Sequence, residues 1–212
     1  MYEVKPLPFD KELDGISKKT NEIHHDKLYA GYVNKANEVG EELGKLRDDI
    51  VARKAPGGLP AGKAGNATYS KLRALKLGET FAVNGIYLHE WFFGLLGGDG
   101  DHKKAPELSA AISEKWGSVE NFIKYFSECA MAARGWTVLA WDLHEGRLKQ
   151  YNGDAHDHAV WGCIPILVCD VYEHAYFIDF GSDRKAYIEA FFKNLNWEMA
   201  EEMYKKAKVV SV

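Results

Sequence analysis

Apolar residues recur at helical spacing through the first fifty positions of the chain. The pattern predicts a long helix that ends at about Arg53 and is capped by Ser17 or Thr20. Its apolar face is formed by Ile23, Leu28, Tyr32, Val33, Leu43 and Leu46. The Pro- and Gly-rich stretch 55–62 then breaks the helical pattern.

A second helix is predicted from about Asn66 to Leu96, with a densely apolar stretch toward its end and Gly97 as its stop. Because the break between the two helices is short, we expect them to pack as a helical hairpin. A polar, Gly-rich link, 97–106, follows the second helix and is the candidate domain boundary.

The second half of the chain has a mixed pattern. Helices are predicted at Pro106–Lys115, Ser118–Ala133 and Arg184–Ala207, and strands at Thr137–Leu143, Arg147–Tyr151 and Ile164–Val171. The first two strands flank a turn and are expected to form a hairpin. The order predicts an α+β fold: an N-terminal α-hairpin domain (1–98), then an α/β domain (99–212) with a small antiparallel sheet.

Composition narrows the class of protein. The chain has 212 residues and a formal net charge of −4, which gives no reason to expect a nucleic-acid or membrane partner. No apolar run reaches the roughly 18–20 residues that a membrane span requires, and the start lacks a signal-peptide core. We therefore expect a cytoplasmic protein whose three cysteines are reduced thiols.

Two of the eight histidines lie among apolar neighbours within the predicted helices. His24 follows Ile23, and His89 lies in the apolar run 84–93. A buried imidazole needs partners for its nitrogens. Taken singly, each residue fits a hydrogen-bonded core histidine better than a metal ligand.

The segment that follows the third strand changes this balance. Asp170 and His174 stand four residues apart at the end of a buried strand, where a charged group is costly unless it is paired or binds a metal. Three imidazoles and one carboxylate suit iron, manganese, zinc or cobalt. Chemistry alone leaves a metal site and a hydrogen-bonded core both open, with the metal undecided.

Several motifs in this order resemble those of the iron/manganese superoxide dismutases over almost the whole chain. The stretches that carry the resemblance are His24–Asn34, Leu88–Phe93, Arg134–Trp136, Asp170–Tyr176 and Asn196–Trp197. The segment Asp170–Tyr176 is the most specific of them. The resemblance implies a two-domain fold with the metal between the domains, in agreement with the pattern above.

The resemblance also implies a ligand set. It assigns His24, His89, Asp170 and His174 to one iron or manganese ion per subunit, with His25 as a neighbour only. The implied reaction converts superoxide to oxygen and hydrogen peroxide while the ion alternates between +3 and +2. The alternatives are a catalytically silent protein that kept the fold, and a different metalloenzyme such as a zinc hydrolase.

Further residues take roles from the same resemblance. Tyr32 is the expected gateway residue of the substrate funnel, Trp136 walls the pocket, and Arg184 supplies positive charge near the funnel. Tyr172 stands where the family commonly has Trp. Most relatives have a glutamine beside the metal, and none is found here. His156 is expected to replace it, with His158 as the alternative, so the choice between iron and manganese stays open.

The resemblance implies a symmetric homodimer, with a tetramer as the alternative. Glu173 and His174, which bridge subunits reciprocally in the family, are both present. Leu28 and Phe177 occupy the positions of a His–Tyr pair that joins subunits in many relatives. Because both partners are lost together, an apolar contact can replace their hydrogen bond.

Overall fold

The N-terminal helix contains a wide turn that the sequence pattern did not predict. The computed structural model describes residues 1–52, 64–158 and 160–210, so the predicted break at 55–62 lies outside the described residues. Helix α1 (Lys18–Ile23) begins at Ser17, whose hydroxyl accepts the Thr20 amide. A π-helical segment, His24–Tyr29, joins it to α2 (Ala30–Val51).

The π-helical segment changes which residues share a face. Two α-helical turns take about 7.2 residues, and an i→i+5 turn adds about one more. Residues eight apart across this segment, such as His24 and Tyr32, therefore fall on the same side of the helix. No residue type in the segment signals this widening, because a π-turn depends on packing rather than on local propensity.

Helix α3 (Lys71–Gly94) packs against α2 and completes the predicted hairpin. It begins five residues later than expected, because the Asn66 side chain accepts the amides of Thr68 and Tyr69 and forms a turn there. The Ser70 hydroxyl caps the helix by accepting the Arg73 amide.

The second half of the chain contains the predicted helices and sheet. Helices α4 (Pro106–Trp116) and α5 (Val119–Ala132) precede strands β1 (Trp136–Asp142), β2 (Arg147–Gly153) and β3 (Cys163–Asp170). The sheet has the order β2-β1-β3, and both pairings are antiparallel. The register places Trp136 between Gly153 on one side and Asp170 on the other.

The predicted final helix is in fact two helices. A 3-10 turn (Glu173–Ala175) and the short α6 (Phe177–Phe180) precede α7 (Arg184–Lys193) and α8 (Trp197–Lys208). The break occurs because the Asn194 side chain bonds the Asp14 backbone, while the Asn196 amide donates to the Leu95 carbonyl at 2.7 Å. These bonds fasten the C-terminal helices to the end of the hairpin.

One apolar core runs through both halves of the chain. Phe92 of α3 stacks on Phe191 of α7 at 6.2 Å, and Phe126 of α5 stacks on the same ring at 6.4 Å. The α+β class and the helix-first order are confirmed, whereas the boundary between 98 and 99 stays a prediction.

Within the described residues, no helix combines the length and hydropathy of a membrane-spanning segment. The cytoplasmic location stays a prediction.

Candidate metal centre

Four side chains from different elements converge at the junction of hairpin and sheet. His24 opens the π-helical segment, His89 lies on α3, Asp170 ends β3 and His174 lies in the 3-10 turn after it. Their ligand atoms all lie within 4.8 Å of one another. The structure therefore brings together all four residues that the resemblance assigned to the metal.

His89 shows that this cluster fits a cation. Its Nδ1 lies 2.6 Å from the Gly85 carbonyl, so that nitrogen carries the proton and donates it. Its Nε2 is therefore a bare acceptor, and it is buried without a hydrogen-bond partner in the described residues. A buried polar atom without a partner is costly, and a metal ion at the centre of the cluster would bind this lone pair.

Asp170 supplies the negative charge of the cluster. Its Oδ2 lies 3.1 Å from His24 Nε2, 3.2 Å from His174 Nε2 and 3.5 Å from His89 Nε2. Burial by itself raises the pKa of this carboxyl, but the interactions with His174 and His24 outweigh it and hold the pKa well below its usual range. The carboxylate is ionised and completely buried.

The pKa values of the three imidazoles shift in different directions. Burial lowers the pKa of His24 and lowers the pKa of His89 to about 3. Burial also acts to lower the pKa of His174, but the charge of Asp170 outweighs it and the net pKa is raised. With their metal-facing nitrogens deprotonated, the three imidazoles and the ionised carboxylate form a borderline-soft donor set that fits iron or manganese, and also zinc.

His156 lies beside this centre with both ring nitrogens engaged. The Trp136 indole N–H donates to His156 Nδ1 at 2.8 Å, so the ring proton is on Nε2. That nitrogen lies 2.7 Å from the Tyr32 hydroxyl oxygen and donates to it. Burial lowers the pKa of His156 to about 4, which keeps the ring neutral. His158 is exposed and does not reach the centre.

Tyr32 joins His156 to the ligand cluster. Its ring centroid lies 5.3 Å from that of His89. Burial, together with the charges of Asp170 and Tyr172, raises the pKa of the phenol to about 12. Because its oxygen accepts from His156, the hydroxyl keeps its own proton available for another acceptor.

Comparison with known proteins agrees with this geometry. The model of the iron/manganese superoxide dismutase α-hairpin domain matches residues 1–97, and that of the C-terminal domain of the same enzymes matches residues 103–203. The chain belongs to the iron/manganese superoxide dismutase family.

Curated relatives include both metal types. "Superoxide dismutase [Fe]" of Aquifex pyrophilus is 40% identical over 198 residues, 93% of this chain and 88% of the relative. The protein of the same name from Aquifex aeolicus is 38% identical over 210 residues, 98% of this chain and 93% of its own length. "Superoxide dismutase [Mn] 1" of Halobacterium salinarum is 32% identical over 209 residues, 97% of this chain and 96% of that protein.

The remaining residues assigned from the superoxide dismutase resemblance lie around the cluster at different distances. Trp136 packs edge-on against His89 with ring centroids 5.1 Å apart, and Tyr172 stacks on His174 at 5.3 Å. Arg184 donates to the Ala133 carbonyl and to the Tyr176 hydroxyl. The structure places the Arg184 guanidinium over the Tyr176 ring, and its role in attracting substrate stays a prediction.

Gly85 is a site residue that the sequence reading missed. Its carbonyl fixes the His89 ring, and a Cβ at this position would lie 2.9 Å from atoms of the Tyr32 ring. A glycine inside a helix costs about 1 kcal/mol relative to alanine and suggests a packing reason. The glycine at position 85, inside the predicted helix and four residues before His89, was therefore a signal in the sequence.

We predict that Gly85→Ala displaces Tyr32 and lowers dismutase activity about tenfold, since misplacement of a catalytic group by about 1 Å can cost about 10²-fold. The matched control is Gly78→Ala on the same helix, where a Cβ would meet only Val39 at 4.0 Å. The control should keep its activity and gain about 0.5–1 kcal/mol of stability. Equal activity in both variants would rule out this role of Gly85.

We also predict that the metal-free protein loses stability as the pH falls from about 6.5 to about 4. His89 and His156 have folded pKa values of about 3 and about 4, so the unfolded chain binds protons first. His174, whose folded pKa is raised, acts in the opposite sense, since its contribution is lost as the pH rises.

The His156 contribution can be isolated by His156→Gln, which removes one titrating group. The slope of the free energy of unfolding against pH should fall by up to about 1.4 kcal/mol per pH unit in this window. His144→Gln, in an exposed turn, is the control and should keep the parent slope. Urea unfolding at several pH values measures both, and identical slopes in all three proteins would contradict the prediction.

Proposed function

We propose that this chain is a superoxide dismutase that uses one iron or manganese ion held by His24, His89, Asp170 and His174. The observation that carries the proposal is the buried, ionised Asp170 facing the unpaired Nε2 of His89. Three neutral imidazole donors and one carboxylate suit both metals. The family membership and the named relatives support the reaction.

The reaction needs an electron carrier and a source of protons. An iron or manganese ion bound in the cluster supplies reversible one-electron chemistry between the +3 and +2 states. One superoxide loses an electron and leaves as oxygen, and a second gains that electron together with two protons and leaves as hydrogen peroxide. The protein must therefore deliver protons to a site whose ligand residues are buried or, for His174, partly buried.

Tyr32 is the residue best placed to deliver a proton. Its phenol is protonated, because its pKa is raised to about 12. The neutral His156 ring donates to the phenol oxygen at 2.7 Å and so orients the Tyr32 O–H away from itself. The Trp136 indole fixes the His156 tautomer that makes this donation possible.

Aromatic side chains line the centre on two sides. Trp136 and Tyr172 lie on the sheet side, while Phe92 and Phe93 lie near His24 on the helix side. A low-polarity wall strengthens the interactions of the buried charges. We infer that His156, as a neutral donor, takes the role that the resemblance gives to a glutamine in most relatives, and that this substitution influences which metal is preferred.

We predict that reconstitution with iron, with manganese, or with both restores dismutase activity in proportion to bound metal, at one ion per subunit. Metal content and superoxide decay should be measured on the same samples. His89→Ala should lose both metal and activity, because one of four ligands is removed. If the fully loaded protein is inactive both with iron and with manganese, the alternative is favoured, namely a catalytically silent member of the family.

We further propose that two copies of the chain associate as a symmetric homodimer through the segment after Asp170. Glu173 is exposed and His174 is partly exposed, so the two residues are free to meet their counterparts in a second copy. Phe177 and Ile178 are 57% and 43% exposed beside them. Such apolar exposure at one place fits an isologous contact.

The dimer should weaken when charge enters this apolar contact. Phe177→Glu is predicted to raise the dimer dissociation constant at least about tenfold, whereas Val209→Glu, 82% exposed at the C-terminal helix end, should leave it unchanged. Sedimentation equilibrium measures both. A tetramer would indicate a second interface, and a monomeric parent protein would contradict the proposal.

A further inference from the structure

The loop that carries His156 is held in place by side chains that belong to other parts of the fold. This loop, residues 154–158, follows β2 and is called here the His156 loop. The His156 ring must satisfy two bonds at once, one from the Trp136 indole and one to the Tyr32 hydroxyl. Both bonds require the loop backbone to stay where it is, because a side chain on a displaced backbone cannot keep two fixed partners.

Asn84 fixes the loop from the helical hairpin. It lies on α3 five residues before His89, and its Nδ2 donates to the His156 carbonyl at 2.9 Å. The contact joins the backbone of the loop to the helix that carries a metal ligand. Asn84 contacts neither the ligand cluster nor Tyr32 through a hydrogen bond, so its effect on the site passes through His156.

Tyr172 fixes the same loop from the opposite side. Its hydroxyl donates to the Asp154 carbonyl at 3.2 Å, and its backbone amide donates to Asp170 Oδ1 at 2.9 Å. The ring stacks on His174 and lies 5.3 Å from the His156 ring. Gly135 permits this placement, since a Cβ there would lie 3.0 Å from the Tyr172 ring.

We propose that Asn84 and Tyr172 are positioning residues that hold the His156 loop between them and so aim His156 at Tyr32. One bond comes from the helical hairpin and the other from the segment between two metal ligands. The position of the loop backbone is therefore fixed relative to both halves of the fold. The proposal rests on the role of the Tyr32–His156 pair in the proposed dismutase reaction.

The test compares three variants. Asn84→Ala and Tyr172→Phe each remove one bond to the loop, and Tyr172→Phe keeps the ring and its stacking on His174. Asn84→Asp keeps the size of the side chain but replaces the N–H donor with an acceptor that repels the His156 carbonyl. We expect about a three- to tenfold loss of kcat in each variant, with a larger loss for Asn84→Asp than for Asn84→Ala.

A spectroscopic measurement separates positioning from a general loss of structure. In the full-length protein loaded with diamagnetic zinc, the His156 Nε2–H and Trp136 indole N–H resonances report the two bonds of the His156 ring. We expect both resonances to shift and their solvent exchange to accelerate in the three variants. Tyr151→Phe is the matched control. Tyr151 lines a surface pocket together with Asn84, Trp136 and His156, but its phenol bonds Asp142, so its loss should move neither resonance.

The outcomes are distinguishable from failure of the proposed function. If Asn84→Asp and Tyr172→Phe leave both resonances at their parent positions, the positioning role is overturned whatever happens to activity. If the resonances shift while kcat of the metal-loaded enzyme is unchanged, the His156 loop has no part in the reaction and the proposal also fails. If the parent protein is inactive, the dismutase assignment fails. The two resonances still test whether Asn84 and Tyr172 hold the His156 ring against Trp136 and Tyr32.

Discussion

A carboxylate removed from water stays ionised only where cations or hydrogen-bond donors surround it, and Asp170 is such a group. It is completely buried at the end of β3, with one oxygen facing three imidazole nitrogens and the other accepting the Tyr172 amide. Removing one partner of a buried charge is strongly destabilising. The positions of His24, His89 and His174 are therefore constrained by one negative charge, and a metal ion is the group that satisfies all four residues together.

The two halves of the fold each supply part of this environment. The α-hairpin brings His24 and His89, and the sheet with its following turn brings Asp170 and His174. The halves stay in register because one aromatic core crosses between them and because Asn194 and Asn196 bond to the N-terminal segment and the hairpin end. A small shift of one half relative to the other would separate the four ligands. The aromatic core and the two asparagine contacts oppose such a shift.

Local patterns predicted much of the fold, because helix starts such as Ser17 and Ser118 are recognised from residues close in sequence. The Ser70 cap was missed, because the pattern predicts the start of the helix at Asn66, in the turn that precedes the cap. The ligand set was reached only through resemblance, since residues up to 150 positions apart carry no local sign of meeting. The π-helical segment and the bonds from Asn84 and Tyr172 to the His156 loop were not predictable, and the helical position of Gly85 gave a signal without showing that the Tyr32 ring packs there. Each depends on a contact between a side chain and a distant segment. His156, the preferred one of the two loop histidines, is buried and reaches Tyr32, whereas His158 is exposed. That His156 replaces the glutamine beside the metal stays a prediction.

The most direct test of the central claim is anomalous diffraction from crystals of the metal-loaded protein, recorded on both sides of the iron and manganese absorption edges. The account predicts one strong peak per chain at the cluster, within bonding distance of His24, His89, Asp170 and His174. A peak at another place, or an ion at the cluster that leaves His89 Nε2 without a bond, would contradict it.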